Sequence, residues 1–153
     1  MIILDYRLDL AEAKHARYCN LVDADDTDLD YGLFCGSIFF SVDQASFDAN
    51  WYWIPVLDFA VKMKEAPLAL RNGKRAIVEF TESSDIIELT PSNNGVIKIM
   101  ATYADREAIV PLRDLEKAIS DFCQRVDNDL TNQYPELLMN PRFVERHNLL
   151  NQE

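Results

Sequence analysis

Apolar residues recur with a period of two at the start of the chain. Ile2, Leu4, Tyr6, Leu8 and Leu10 fall on one side, and Asp5, Arg7 and Asp9 on the other. This alternation predicts a strand with one buried face. The next apolar run, Leu33-Phe-Cys-Gly-Ser-Ile-Phe-Phe-Ser-Val42, is aromatic and β-branched, the composition of a well-buried strand. Gly36 inside it predicts a bulge or a close crossing. The period then changes. From Pro55, Val56, Phe59, Ala60 and Met63 recur at i, i+3, i+4 and i+7, and Leu57 and Val61 widen that face. Pro55 suits a first helical turn, and Pro67 is expected to end the helix after about Glu65. This reads as an anchor helix lying on a sheet, with Trp51 and Trp53 sealing its entrance.

Three strands follow in close order: Arg75–Thr81, Ile86–Thr90 and Val96–Tyr103, with Ala108-Ile-Val110 as a further one. Ser83-Ser84 and Pro91-Ser-Asn-Asn-Gly95 link them, the second carrying a strong Asn-Gly hairpin signal. Links this short imply an antiparallel meander. Pro111 opens a second helix. Leu112, Leu115, Ile119, Phe122, Cys123, Val126 and Leu130 share its apolar face, while Arg113, Glu116, Lys117, Gln124 and Asp127 decorate the other. Tyr134-Pro135 is expected to stop it. Residues 11–32 read as irregular, with a short helical turn around Ala11–Cys19. Asp43–Asn50 reads as a polar connection, Glu136–Met139 as a short turn, and Asn140-Pro-Arg-Phe143 as a tail. The order predicts one α+β domain over residues 1–153: an antiparallel sheet of five to six strands with two main helices packed on one face. Trp53, Phe59, Phe80, Ile99, Leu115 and Phe122 are its expected core.

Composition narrows the function classes. The 153 residues are 48% hydrophobic, enough for a real core. No apolar run approaches the roughly 20 residues of a membrane span, and the N-terminus has no basic segment of a leader, so the expected compartment is the cytoplasm. The 26 acidic and 15 basic side chains give a net charge of −11. That disfavours nucleic acid and anionic membranes and favours a basic protein partner, whose encounter the field would accelerate. The charge is densest in Asp23-Ala-Asp-Asp-Thr-Asp-Leu-Asp30, five aspartates in eight positions. A run of this kind is expected to be an exposed loop. Asp23, Asp25, Asp26, Asp28 and Asp30 are therefore the candidate partner-binding residues.

Catalytic and metal-binding patterns are missing, so no cofactor is expected and the chain reads as non-enzymatic. A calcium loop needs glycine at its sixth position and glutamate at its twelfth. Counting from Asp26 these are Tyr31 and Ser37, and counting from Asp23 they are Asp28 and Phe34. The only histidines, His15 and His147, belong to no HxxxH or CxxC set, and Cys19, Cys35 and Cys123 are too scattered for a zinc site or a disulfide framework. Cys35 and Cys123 lie on apolar stretches and are expected to be buried. No GxSxG, GxGxxG or Walker pattern occurs. Asp58, between Leu57 and Phe59, is either a buried carboxylate with a raised pKa or a surface group beside Lys62. Trp51 and Trp53 could also form a stacking platform, so a small-ligand binder or enzyme with a pocket there is the alternative, as is a subunit of a larger complex.

The segment Phe39-Phe40-Ser-Val-Asp43 leading into Trp51-Tyr-Trp-Ile-Pro-Val-Leu-Asp-Phe59, in a small acidic chain without a catalytic set, resembles the immunity proteins of bacterial polymorphic and contact-dependent growth-inhibition toxin systems. The resemblance implies stoichiometric inhibition of a cognate toxin, often a basic nuclease, by covering its active site or an exosite. It assigns no individual site residue.

Overall fold

The computed structural model describes all residues, Met1–Glu153. Strand β1 (Ile2–Leu8) pairs antiparallel with β2 (Cys35–Val42), setting Leu4 opposite Phe40 and Leu8 opposite Gly36. The crossing at Gly36 is so tight that a Cβ there would lie 2.1 Å from the Arg7 carbonyl oxygen, which only glycine permits. Leu10 does not extend β1. It is 80% exposed and opens α1 (Leu10–Arg17), because the chain turns at Asp9, whose N–H donates to the Cys35 carbonyl.

The other edge of β2 pairs with β3 (Ala45–Ser46) and β4 (Ala49–Pro55). The segment expected to be a polar link and a helix entrance is thus a hairpin returning onto β2. Its register jumps between Gly36↔Ile54 and Ile38↔Ala49, so residues 50–53 bulge opposite Ser37. Helix α2 (Val56–Arg71) follows directly and runs through Pro67 without ending. Proline cannot offer an N–H to the Met63 carbonyl, but Met63, Ala66, Pro67 and Leu70 are all buried, and that packing outweighs one lost bond. Gly73, at φ +73°, closes the helix, with Lys74 N–H donating to the Ala69 carbonyl.

The predicted meander forms a second four-stranded sheet in sequential order: β5 (Ala76–Glu79), β6 (Ile86–Pro91), β7 (Val96–Ala101) and β8 (Ala108–Pro111). Asn94 (φ 64°) and Gly95 (φ 72°) make the β6–β7 turn, both in the left-handed region that this pair of residues tolerates. Helix α3 (Leu112–Gln133) follows, and after a short 3₁₀ turn (Pro135–Met139) comes a further helix, α4 (Pro141–Leu150), where a tail was expected.

The architecture is α+β and antiparallel, but with two four-stranded sheets rather than one of five to six, and four α-helices rather than two. Because β3 and β4 fold back onto β2, the first sheet is complete before β5 begins. Helices α2 and α3 pack on each other; α2 also touches β2, β4, β5 and β6, and α3 touches β1 and β8. The two helices thereby tie the sheets together. Ring contacts mark the junction: Tyr6 against Phe122, Phe122 against Phe59, Phe59 stacked on Phe80, and Phe80 edge-on to Trp51. Of the expected core, Phe59, Phe80, Ile99, Leu115 and Phe122 are buried, but Trp53 is 43% exposed because the bulge carries it outward. No helix is long and apolar enough to cross a membrane.

Candidate interaction surface

The acidic run is a built turn. The Asp28 N–H donates to the Asp25 carboxylate at 2.8 Å, and the Asp25 N–H donates back to the Asp28 carboxylate at 3.1 Å. This is the reciprocal arrangement of a capping box, with aspartate serving at both ends. Leu29, fully buried, pins the π-helical turn Asp28–Gly32 into the core, and Asn20 donates to Asp23 at 2.7 Å. The turn packs against α2 and β4.

Its main anchors come from α4. The Arg146 side chain, only 13% exposed, donates to Asp26 and Asp30 at 3.0 Å each. Burial works against its charge, yet bonds to Asp30 and Asp26 more than offset this and hold the guanidinium above its ordinary pKa. Asn140 is fully buried. Its amide donates to the carbonyls of Leu21 and Ala24 at 2.8 and 2.9 Å, while its oxygen accepts the N–H of Arg142 and Phe143, capping α4. Asp23, Asp25, Asp26 and Asp28 remain exposed and Asp30 is half-buried. The guanidinium pairs with two of the five carboxylates, so the crest keeps a net negative charge. The five aspartates are legible in the sequence as a charged run, whereas Arg146 and Asn140, which hold that run, are not. The Asn140-Pro141 pair, a cap followed by proline at the first helical position, is the signal that could have found this helix.

Other singled-out groups have structural partners. Asp58 accepts from Lys62 at 3.0 Å and from the Thr81 hydroxyl at 2.6 Å, so it is the pair beside Lys62 with a threonine added. Asp127 was expected on the solvent face of α3 but is buried. Both its oxygens lie 2.8 Å from His147 Nδ1, and Asn151 donates to it at 2.9 Å. It follows Cys123 by one turn and precedes Leu130, so it sits on the seam where α4 packs on α3. Glu116 is held by Arg71 at 2.7 Å. Cys35 and Cys123 are buried and free, as expected. No cluster of three or more His, Cys, Asp or Glu side chains is placed to hold a metal ion.

Around the bulge of β4, Trp51 stacks on Trp53 with centroids 5.4 Å apart, and packs edge-on to Phe80 and Tyr103. Trp51 is thus a packing residue, whereas Trp53 and Tyr52 face solvent. A cleft of about 530 Å³ between α2 and α3 is lined by other residues, among them Lys64, Arg71 and Glu116. No protein-family model, curated protein or solved structure matches this chain.

Proposed function

We propose that the chain is a non-enzymatic protein-binding protein of the immunity type, which neutralises a basic toxin domain by stoichiometric binding. One observation carries this reading: the acidic run is held rigid from beneath, by Arg146, Asn140 and the Asp25–Asp28 caps, while its outer carboxylates stay in water. A run serving solubility alone needs no such frame. A preorganised crest lowers the ordering cost of binding, and its charge raises the association rate.

The test is the triple change of Asp25, Asp26 and Asp28 to Asn, measured by association kinetics against a basic toxin domain, the first to try being any encoded by the neighbouring gene. Asn preserves size and the ability to accept hydrogen bonds. We expect association at low salt to slow about tenfold, with a flatter salt dependence and little change in dissociation. Association identical to the parent protein at low salt would retire the crest as the docking site. Failure of the chain to protect cells expressing that domain would refute the immunity reading itself.

A further inference from the structure

Strand β1 has a neighbour on one side only: it pairs with β2, and no strand lies beyond its other edge. The parity of the ladder says which groups that edge leaves open. The Met1 carbonyl accepts from Asp43, and the Asp9 N–H donates to Cys35, so the odd-numbered residues bond to β2. The N–H and C=O groups of Ile2, Leu4, Tyr6 and Leu8 therefore point the other way. Helix α3 runs alongside this open edge, and three clefts lie between the two elements. One of about 470 Å³ is lined by Ile2, Asp114 and Asp121, one of about 420 Å³ by Leu4, Asp121 and Arg125, and one of about 560 Å³ by Tyr6, Leu8 and Asp129. The first two share Ile2 and Asp121, and the last two share Asp5, so they join into one groove along the whole of β1. One group of the edge is already engaged from the groove: Arg125 donates to the Leu4 carbonyl.

We infer that this groove receives an extended segment of another protein, added as a further strand on β1, with a lysine or arginine side chain near each end. This goes beyond the proposed function, since no aspartate of the crest lines the groove. Two observations identify the occupant. The first is the edge itself: a row of open N–H and C=O groups at strand spacing is satisfied together only by another extended backbone. The second is charge. Every cation along the groove is committed: the Met1 amine to Asp43, Lys117 to Asp121 at 2.9 Å, Arg125 to Asp5 and the Leu4 carbonyl, and Arg7 over the Phe39 ring. Two exposed carboxylates are unmatched. Asp114 takes part in no ion pair, and Asp129 accepts only the neutral Tyr6 hydroxyl, at 2.5 Å. They stand in the first and last clefts. Between them α3 advances about 22 Å at about 1.5 Å per residue, the reach of about seven residues of extended chain. Strand β1 is itself seven residues long. A strand laid along it thus brings a basic side chain near each end to an uncompensated carboxylate, whereas an acidic segment would be repelled.

Synthetic peptides test it. The probe alternates valine and threonine and carries a lysine near each end. One control has glutamate in place of both lysines, and another has proline at alternate positions, which removes backbone donors. With the ¹⁵N-labelled protein at low salt, the lysine peptide is expected to slow amide exchange at Leu4 and Leu8, whose N–H groups face the groove. Ile3 and Arg7, already bonded to β2, should exchange as before. The glutamate and proline peptides are expected to bind about tenfold more weakly. Asp114→Asn and Asp129→Asn, both at exposed positions, should keep the parent's amide dispersion and weaken the lysine peptide about threefold each. A proline peptide that binds as tightly as the lysine peptide would overturn strand addition, and equal binding of the glutamate peptide would overturn the basic occupant. Protection of Leu4 and Leu8 that rises with protein concentration, without peptide, would overturn the proposed partner in favour of a second copy of this chain. No binding of the lysine peptide, or binding that leaves exchange at Leu4 and Leu8 unchanged, would overturn the groove altogether. None of these outcomes bears on the acidic crest, whose test is separate.

Discussion

Cys123 and Cys35 show how a small side chain can report on the whole fold. Cys123 donates to the Ala60 carbonyl at the α2–α3 contact, and burial pushes its thiol up to about 12 from an ordinary 9.0. Cys35 is pushed up to about 11, by burial first and then by the fields of Glu12, Glu82 and Asp9. Both thiols therefore stay protonated in the folded protein at a pH where the unfolded chain ionises. Between the two pKa values the folded state binds more protons, so stability is intact below about pH 9 and falls as pH rises. For Cys123 the slope is about 1.4 kcal/mol per pH unit while the window lasts. Urea unfolding at several pH values from about 8 to 11 checks this. Cys123→Ala changes the absolute stability through its cavity, but it should also flatten the decline, which separates the thiol from titrating lysines and tyrosines. Equal slopes for the parent and variant would refute the assignment.

At the scale of elements, α4 decides whether the acidic crest exists. Asn140 caps this helix and binds two carbonyls of the segment leading into the crest. Removing it should cost about 3 kcal/mol: roughly 1 for the cap and 1 or more for each carbonyl left without its donor. Asn140→Ala is expected to lose that much in urea unfolding and to speed amide exchange over residues 21–30. Asn140→Asp keeps the cap acceptor but sets a buried carboxyl oxygen against those two carbonyls, so it should free the crest while preserving the cap of α4. Losses below about 1 kcal/mol in both variants would show that the crest is held without Asn140.

The same elements show what local pattern could and could not reveal. The β5–β8 meander and α3 were legible because each face repeats cleanly and Asn94-Gly95 dictates its own turn. Gly36 announced its crossing for the same local reason. Strand β4 was misread because it runs straight into α2 at Pro55, and its bulge interrupts the alternation of Trp51 and Trp53. Pro67 was read as a stop, since nothing local shows that tertiary packing holds the helix through it. Asp127 was placed in water because its partners, His147 and Asn151, come from another helix. The aspartates of the crest were legible as charge, but their cation, Arg146, lies 116 residues from Asp30. Pairings over that separation are set by topology, which helical and strand periods do not encode.

For the whole molecule, a net charge of −11 opposes compaction, while its salt bridges oppose unfolding. Most of these pairs are at least partly exposed, including Lys117–Asp121, Arg71–Glu116 and Lys98–Glu107. Pairs of this kind contribute about 0–1 kcal/mol each and are readily screened. The repulsion is longer in range. At about 0.01 M salt the screening length is roughly 30 Å, so much of the excess acts across the protein, and at about 0.1 M it is roughly 10 Å. Repulsion should therefore win, and added sodium chloride should raise the urea midpoint without changing the slope of the transition. The carboxylates most crowded in sequence, those of the crest, should contribute most. Arg146→Met keeps an apolar stem where the guanidinium enters the fold but removes the only cation bound to Asp26 and Asp30. That variant should be destabilised most at low salt and recover part of the loss as salt rises, giving a steeper dependence than the parent. A midpoint that falls with salt in both proteins would mean that the ion pairs, and not the net charge, control the balance.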